Sequence, residues 1–266
     1  MWMEENKMAI LEIKNMNIRY STTDGDVLAV KNANLEIEEQ DAIGIVGESG
    51  SGKSTLAMAI LKLLPSNATV DGEVIYDDKN LLAMSEEELN KVRWNEISVV
   101  FQKSMSALSP VHKIGGQMID VYRVHDTTKS KEEIKTHVIN LFKTVGLPER
   151  VYGMYPHELS GGMMQRVSIA LSLINDPKIL IFDEATTALD VVVQEQILNE
   201  IMDLQEKFKL TRIMITHDIS VVASTCNKVV VMYDGEILEA GNVDDVLLNP
   251  QHDYTKKLLN SYLNIV

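Results

Sequence analysis

Hydrophobic and polar side chains alternate along residues 10–37, with a turn signal at Thr23-Asp24-Gly25-Asp26. A period of two is typical of β-strands with one buried face, and a segment rich in Asp and Gly between two such runs favours a turn. The pattern therefore predicts antiparallel strands at one edge of the fold. Residues 42–46 are instead apolar without interruption, which indicates a strand buried on both faces.

Strand and helix patterns alternate through the rest of the chain. Ser followed three residues later by Glu, at 85–88 and 130–133, predicts two helix starts, and Pro65 ends the helical pattern that begins after the buried strand. Further elements are expected as a strand at 97–101, helical structure from about 110 to 158, a helix at 162–174, a strand at 179–182, a helix at 191–208, strands at 212–216, 229–232 and 236–239, and a final helix at about 254–263. Such alternation is typical of an α/β fold with a parallel sheet.

Composition and charge limit which binding partners and which cellular locations we expect for this protein. The net charge of −14 makes a nucleic acid an unfavourable main partner. Cys226 is the single cysteine, which excludes an intrachain disulfide and a Cys-rich metal site. The first eight residues lack the basic and apolar layout of a signal peptide, and no run reaches the ~18 apolar residues of a spanning helix. We therefore expect a protein that stays in the cytosol and reaches a membrane only through another subunit.

A glycine-rich segment, Gly47-Glu48-Ser49-Gly50-Ser51-Gly52-Lys53-Ser54, lies between the predicted buried strand and a helix. It matches the phosphate-loop pattern, in which glycines let successive backbone N–H groups converge on an anion at the positive end of a helix. Lys53 is expected to reach the β- and γ-phosphates, and Ser54 to bind Mg²⁺. The residues expected to contact the nucleotide are Gly47, Ser49, Gly50, Ser51, Gly52, Lys53, Ser54 and Thr55.

Two carboxylates follow the predicted strand at 179–182. Asp183 and Glu184 stand at its carboxyl end, where ligands bind in open α/β sheets. Asp183 suits the ligand shell of Mg²⁺, and Glu184 suits a general base that polarises the attacking water. Together with the phosphate loop, the pair indicates hydrolysis of a nucleoside triphosphate.

A second glycine-containing segment is similar to the signature motif of a known protein family. Leu159-Ser160-Gly161-Gly162-Met163-Met164-Gln165-Arg166 resembles the signature of the ATP-binding-cassette (ABC) ATPases, and the resemblance covers nearly the whole chain. It implies an α/β P-loop NTPase fold, specifically an ABC-type nucleotide-binding domain over residues 8–266. That domain has an antiparallel β subdomain and a helical subdomain, about 110–175, inserted in a RecA-like core. The resemblance also implies that Ser160, Gly161 and Gly162 serve the γ-phosphate of ATP held by a second subunit.

The same resemblance implies roles for four further residues. Gln102 matches the glutamine that senses Mg²⁺ and the membrane subunit, and Asp190, after Ala188-Leu189, matches the loop that crosses the dimer interface. His217 matches the switch histidine that contacts the γ-phosphate, and Tyr20 lies where the family stacks an aromatic ring on adenine. The expected catalytic residues are Glu184, His217 and Gln102, and the expected Mg²⁺ ligands are Ser54, Gln102 and Asp183.

Two positions depart from the commonest family pattern. Met163 replaces a glutamine, and Ala185 replaces a proline. Neither change removes a phosphate or metal ligand, so we expect ATPase activity to be retained. Met163 changes the side-chain contacts that the signature segment can make.

Several stretches resemble the branch of the family that imports peptides and nickel: 23–30, 104–110, 160–163, 187–191 and 249–255. The resemblance implies ATP and Mg²⁺ as cofactors and a second ABC ATPase, identical or distinct, as partner. It further implies transmembrane permease subunits, an extracytoplasmic binding protein, and a peripheral location on the cytoplasmic face of the membrane.

Alternatives to peptide import stay open at this point. Nickel import is the second reading. The chain lacks the Cys-rich iron–sulfur tail of many peptide importers, and we expect it to be either a short member of the branch, as nickel importers often are, or a shortened chain. A soluble ABC ATPase acting on nucleic acid or ribosomes is disfavoured by the acidic charge, by the single set of motifs and by the absence of a long coiled coil.

Overall fold

The computed structural model describes residues 9–23, 25–101, 108–186 and 190–263. The chain forms two compact units: residues up to Leu89 together with those from Thr211 onward, and residues from Asn90 to Leu210. In the part that the structure describes, no helix is long and apolar enough to cross a bilayer.

The first unit contains an antiparallel sheet in the order β2-β1-β4-β5. Its strands are β1 (Ala9–Thr22), β2 (Gly25–Glu38), β4 (Ala68–Tyr76) and β5 (Lys79–Asn80). Leu11, Ile13, Met16 and Ile18 are buried. Leu11 and Ile13, and likewise Met16 and Ile18, are two residues apart, because strand side chains point to alternate faces. The register shifts between Ile13 and Met16, where Asn15 has φ 49°. The predicted antiparallel strands are confirmed.

The second sheet of the first unit surrounds the apolar strand β3 (Ala42–Val46), which runs parallel to both β8 (Thr211–Ile215) and β9 (Lys228–Tyr233). β10 (Glu236–Asn242) pairs with β9 in the antiparallel direction. Every residue of β3 is buried, as the uninterrupted apolar run predicts.

The helices that the structure describes wholly or mainly in this unit are α1 (Lys53–Ile60), α2 (Glu86–Val92), α7 (Ile219–Thr225), α8 (Val243–Leu248) and α9 (Asp253–Leu263). A short 3-10 turn, Leu81–Ala83, precedes α2. α7 packs so closely on β3 that a Cβ at Gly44 would lie 2.4 Å from Val222. α1 is shorter than predicted, because Lys62 takes a left-handed conformation with φ 51° and ends the helix before Pro65.

The second unit contains the parallel pair β6 (Ile97–Val100) and β7 (Ile179–Asp183). Its helices are α3 (Ile114–His125), α4 (Lys131–Thr144), α5 (Gly161–Ser172) and α6 (Val191–Phe208). The 3-10 turns Glu149–Gly153 and Pro156–Glu158 connect α4 to α5. The capping box predicted at Ser130 is present, since its hydroxyl and the Glu133 carboxylate each bond the other residue's backbone N–H. The expected helical subdomain, 110–175, lies within this unit, and the division into subdomains stays a prediction.

Candidate nucleotide-binding site

The glycine loop after β3 closes around its own lysine. Lys53 is 4% exposed, and its Nζ donates to the carbonyl oxygens of Gly47 and Glu48, each at 2.8 Å. The same Nζ lies 3.4 Å from Ser51 Oγ. A buried ammonium needs such partners, so the lysine charge is held in the centre of the curled loop.

Two glycines of this loop have no room for a side chain. A Cβ at Gly47 would lie 2.0 Å from the Met232 carbonyl oxygen, and one at Gly52 would lie 2.5 Å from the Ala29 carbonyl oxygen. Both residues also have positive φ values, 153° and 99°, which side-chain-bearing residues rarely adopt. The back of the loop is therefore in direct contact with β9 and β2.

The front of the loop fits a triphosphate. α1 begins at Lys53, its cap residue Gly52 provides no side-chain hydrogen bond, and its first turn carries no acidic residue. The positive end of the helix dipole is thus not neutralised by its own side chains. A Cβ at Gly50 would meet no atom within 4 Å, so this side of the loop is open. Open backbone, a central ammonium and a bare helix start form the donor set that phosphates require.

Tyr20 and His217, both predicted from the family resemblance, lie in the same unit as the loop. Tyr20 is half-buried on β1, with its hydroxyl 3.5 Å from Thr55 Oγ1 at the start of α1. His217 is exposed two residues after the end of β8. Between them, Thr216 N–H donates to the Ile45 carbonyl oxygen of the neighbouring β3 at 3.2 Å. Because β3 and β8 are parallel, His217 and the glycine loop leave the sheet at the same edge.

In the second unit, the two acidic residues lie at the end of a buried strand as predicted. Asp183 is the last residue of β7, and Glu184 follows with φ 47°. A positive φ is uncommon for a residue other than glycine, and residues held in such a conformation are a feature of many functional sites. β6 ends beside β7, with Val100 opposite Phe182. Gln102, Thr187, Ala188 and Leu189 lie outside the described residues, so the expected place of Gln102 stays a prediction.

The signature segment forms the start of α5. Ser160 is the cap residue, and its hydroxyl accepts from Met163 N–H at 3.3 Å. Gly161 is exposed, and a Cβ there would meet no atom within 4 Å, whereas one at Gly162 would lie 3.1 Å from a methyl of Val193.

Asp190 lies near this segment, because Val193, which approaches Gly162, also bonds Asp190. It caps α6 by accepting from Val193 N–H at 3.0 Å. The structure therefore brings Ser160, Gly161, Gly162 and Asp190 together at two adjacent helix starts.

Two features of this region were not predicted from the sequence. Arg166 of α5 forms a forked ion pair with Glu200 of α6, with Nη2–Oε1 at 2.6 Å and Nε–Oε2 at 2.8 Å. The hydrogen bonds to Glu200 raise the pKa of Arg166 above its ordinary value. Gln165 is fully buried, and neither polar atom of its amide has a partner among the described residues. The ion-paired residues are 34 positions apart, and no local pattern marks such a pair.

The chain matches a known protein family and is similar to several named proteins. The family described as ABC transporter matches residues 30–187, more than half of the chain. The dipeptide transport ATP-binding protein DppD of Lactococcus lactis is 44% identical over 95% of this chain and 73% of its own length. The oligopeptide transport ATP-binding protein OppD of Escherichia coli is likewise 44% identical, over 95% of this chain and 75% of its own length.

Solved structures show the same fold. A dimeric ATP-binding cassette in a post-hydrolysis state, bound to ADP and phosphate, superimposes with a TM-score of 0.77 at 31% identity, over 88% of this chain and 98% of that one. CbiO1 from Clostridium perfringens, part of a cbiONQ ABC transporter complex, gives 0.77 at 29% identity, over 97% of this chain and 95% of that one. The predicted ABC-type fold class is confirmed, and the chain belongs to the ABC transporter family.

Proposed function

We propose that the chain is the ATP-hydrolysing subunit of a transporter that imports dipeptides or oligopeptides. The observation that carries the ATPase part is the glycine loop, which is closed behind Lys53 and open in front of it. The peptide part is supported by the relatives, which are named for dipeptide and oligopeptide transport rather than for nickel.

The residues of the first unit bind and orient the nucleotide. Backbone N–H groups of the loop and the Lys53 ammonium hold the β- and γ-phosphates, while Tyr20 contacts the adenine and His217 contacts the γ-phosphate. The family resemblance implies Ser54, Asp183 and Gln102 as the Mg²⁺ ligands, and their hydroxyl, carboxylate and amide oxygens suit this ion. When bound, Mg²⁺ neutralises the charge on the phosphate oxygens.

Glu184 acts as the general base. Its carboxylate polarises the water that attacks the γ-phosphorus and accepts a proton from it. The bond between the γ-phosphorus and the β,γ-bridging oxygen breaks, so that ADP leaves and inorganic phosphate forms. The positive φ of Glu184 sets the direction in which this side chain leaves the strand end.

The second unit supplies a surface for a partner ATPase, identical or similar. Gly161 is exposed and open at the start of α5, beside Asp190 at the start of α6. A helix start of this kind accepts an anion, and here the anion is the γ-phosphate of ATP bound by the partner. The dimeric cassette that superimposes on this chain supports the arrangement. The ATPase pair works on the cytoplasmic face with permease subunits and, through them, an extracytoplasmic binding protein.

The experiment that tests the ATPase is Glu184→Gln. The amide keeps the shape of the side chain but cannot accept the proton, so turnover of Mg-ATP should fall about 100- to 10,000-fold. Affinity for a fluorescent ATP analogue should stay within about twofold of wild type, because Glu184 acts in the chemical step. Turnover at the wild-type rate would contradict the role of Glu184.

Lys53→Ala is the matched variant, because it should weaken analogue binding itself while leaving Glu184 in place.

Peptide transport is tested separately, with the cognate permeases and binding protein in vesicles. ATP-driven uptake of a labelled oligopeptide supports the proposal, and uptake of Ni²⁺ without peptide uptake would replace it by nickel import.

A further inference from the structure

The start of the carboxyl-terminal helix α9 is tied to the sheet that carries the glycine loop. Glu239 of β10 accepts hydrogen bonds from the backbone N–H groups of Gln251 at 2.7 Å and His252 at 3.1 Å, just before the helix begins. Tyr254, the second residue of α9, is thereby held against the sheet. Its ring lies 4.4 Å from the ring of Tyr233, the last residue of β9, at an angle of 37°.

Tyr254 also reaches the glycine loop from behind. It packs on the apolar cluster that contains Val46, the residue immediately before Gly47. Its hydroxyl is buried and makes no hydrogen bond of normal geometry with the described residues. The backbone and the carboxylate of Glu48 nevertheless lie close enough to act on this hydroxyl, and burial raises its pKa. A buried hydroxyl without a partner is uncommon and requires an explanation.

Glu48 is a central residue of the loop. Its carbonyl oxygen accepts from the Lys53 ammonium at 2.8 Å and from Ser51 N–H at 3.2 Å. A shift of the Glu48 backbone therefore moves both the lysine charge and the N–H groups that face the phosphates. The β9–β10 turn holds the loop at a second point, since Gly235 N–H donates to the Ser51 carbonyl oxygen at 3.1 Å.

We propose that Tyr254 is a positioning residue for the phosphate loop, and that its hydroxyl completes a hydrogen bond to Glu48 when a triphosphate occupies the loop. The inference rests on the proposed binding of ATP by that loop. The proposal explains why the buried Tyr254 hydroxyl has no hydrogen-bond partner among the described residues. Its hydrogen bond to Glu48 forms when a triphosphate is bound, and this bond favours the loop conformation that binds phosphate. By linkage, nucleotide binding stabilises α9 to the same extent that α9 strengthens nucleotide binding.

The test is Tyr254→Phe, which removes the hydroxyl and keeps the ring against Tyr233. The dissociation constant of a fluorescent ATP analogue should rise about three- to tenfold, the range of a single hydrogen bond. KM for ATP should rise by the same factor, while kcat at saturation stays within about twofold. The melting temperature without nucleotide should be unchanged or higher, because the variant no longer buries an unpaired hydroxyl.

The control is Tyr233→Phe, which removes the hydroxyl of the other ring, on a residue that is 44% exposed. It should leave the analogue affinity and KM unchanged. Hydrogen exchange of the α9 amides should slow on addition of the analogue in wild type and slow less in Tyr254→Phe.

Two results would overturn the proposal: a Tyr254→Phe variant that binds the analogue like wild type, or one that loses melting temperature without nucleotide and affinity together. The first would show that the hydroxyl is not used, and the second would show a general packing role. Failure of the wild-type protein to bind the analogue would instead refute the ATP site itself, so the two failures are distinguishable.

Discussion

Two glycine segments of similar composition occupy opposite surroundings in this protein. In the first unit, the segment 47–54 is closed: Gly47 and Gly52 touch backbone carbonyls of neighbouring strands, and Lys53 is bonded inside the loop. In the second unit, the segment 159–162 is open: Gly161 has free space at its Cβ position and is exposed.

The difference shows what each segment can do alone. A closed loop with a central ammonium provides all its phosphate contacts from one chain, because its shape is fixed by the strands behind it. An open helix start provides N–H groups and a dipole but encloses nothing, so it needs a second surface that brings the anion. The comparison therefore separates glycines required for folding of this chain from a glycine required for close approach of a partner.

The largest effect is expected for Gly47→Ala. The new Cβ would lie 2.0 Å from the Met232 carbonyl oxygen, so β9 or the loop must move. We expect a loss of about 3 kcal/mol or more in the free energy of unfolding and no measurable analogue binding. Urea unfolding and equilibrium binding measure the two effects. Gly50→Ala is the matched control, since it has the strain of φ 83° but open space, and it should cost about 1–2 kcal/mol.

The second prediction concerns Gly161→Ala, where the added methyl group meets nothing in its own chain. Stability should be unchanged or slightly higher, because Ala is the better helix former, and analogue binding by the isolated subunit should match wild type. Turnover of the assembled ATPase pair should fall about tenfold or more, because the methyl group obstructs approach of the partner's γ-phosphate to the N–H groups. Wild-type turnover of a pair carrying Gly161→Ala on both subunits would show that this segment does not serve the partner's nucleotide.

Elements defined by local pattern could be predicted from the sequence. The uninterrupted apolar run of β3 requires burial on both faces. The loop after it is predicted from the glycines, Lys53 and Ser54 between a strand and a helix pattern. The capping box at Ser130 was likewise visible, because Ser and Glu three residues apart satisfy each other's backbone N–H groups. In each case the cause of the structure lies within a few residues of sequence.

The elements that the sequence did not reveal depend on tertiary contacts. α7 is rich in β-branched residues, which favour strands, and it is helical because Asp218 caps it and Val222 packs on Gly44. β4 has Gly72 between two acidic residues, which hides the strand pattern, and its pairing with β1 determines its conformation. The ion pair of Arg166 with Glu200 and the ring contact of Tyr254 with Tyr233 join residues that are far apart in the sequence, so residue spacing could not show them.

The smallest expected effect is a difference between the two units in how the stability contributed by an ion pair depends on pH. In the first unit, Lys228 bonds Glu38 at 2.8 Å and the buried carboxylate of Asp41 at 2.9 Å. Burial lowers the pKa of Lys228, but its bonds to the two carboxylates raise it more, and the net shift is above the ordinary value near 10.5. A raised lysine pKa gives stability that is fully present below that ordinary value and is lost as the pH rises through the folded value.

Lys228→Met should therefore be less stable than wild type by about 1 kcal/mol at neutral pH, and the gap should narrow as the pH rises beyond the ordinary lysine value of 10.5. Arg166→Met is the matched control in the second unit, because the pKa of Arg166 is raised from an already high value. Its stability deficit should persist unchanged across the same alkaline range. Urea unfolding of the three proteins at a series of pH values measures both gaps. If the Lys228→Met gap stayed constant with pH, Lys228 would contribute through packing of its aliphatic stem rather than through its charge.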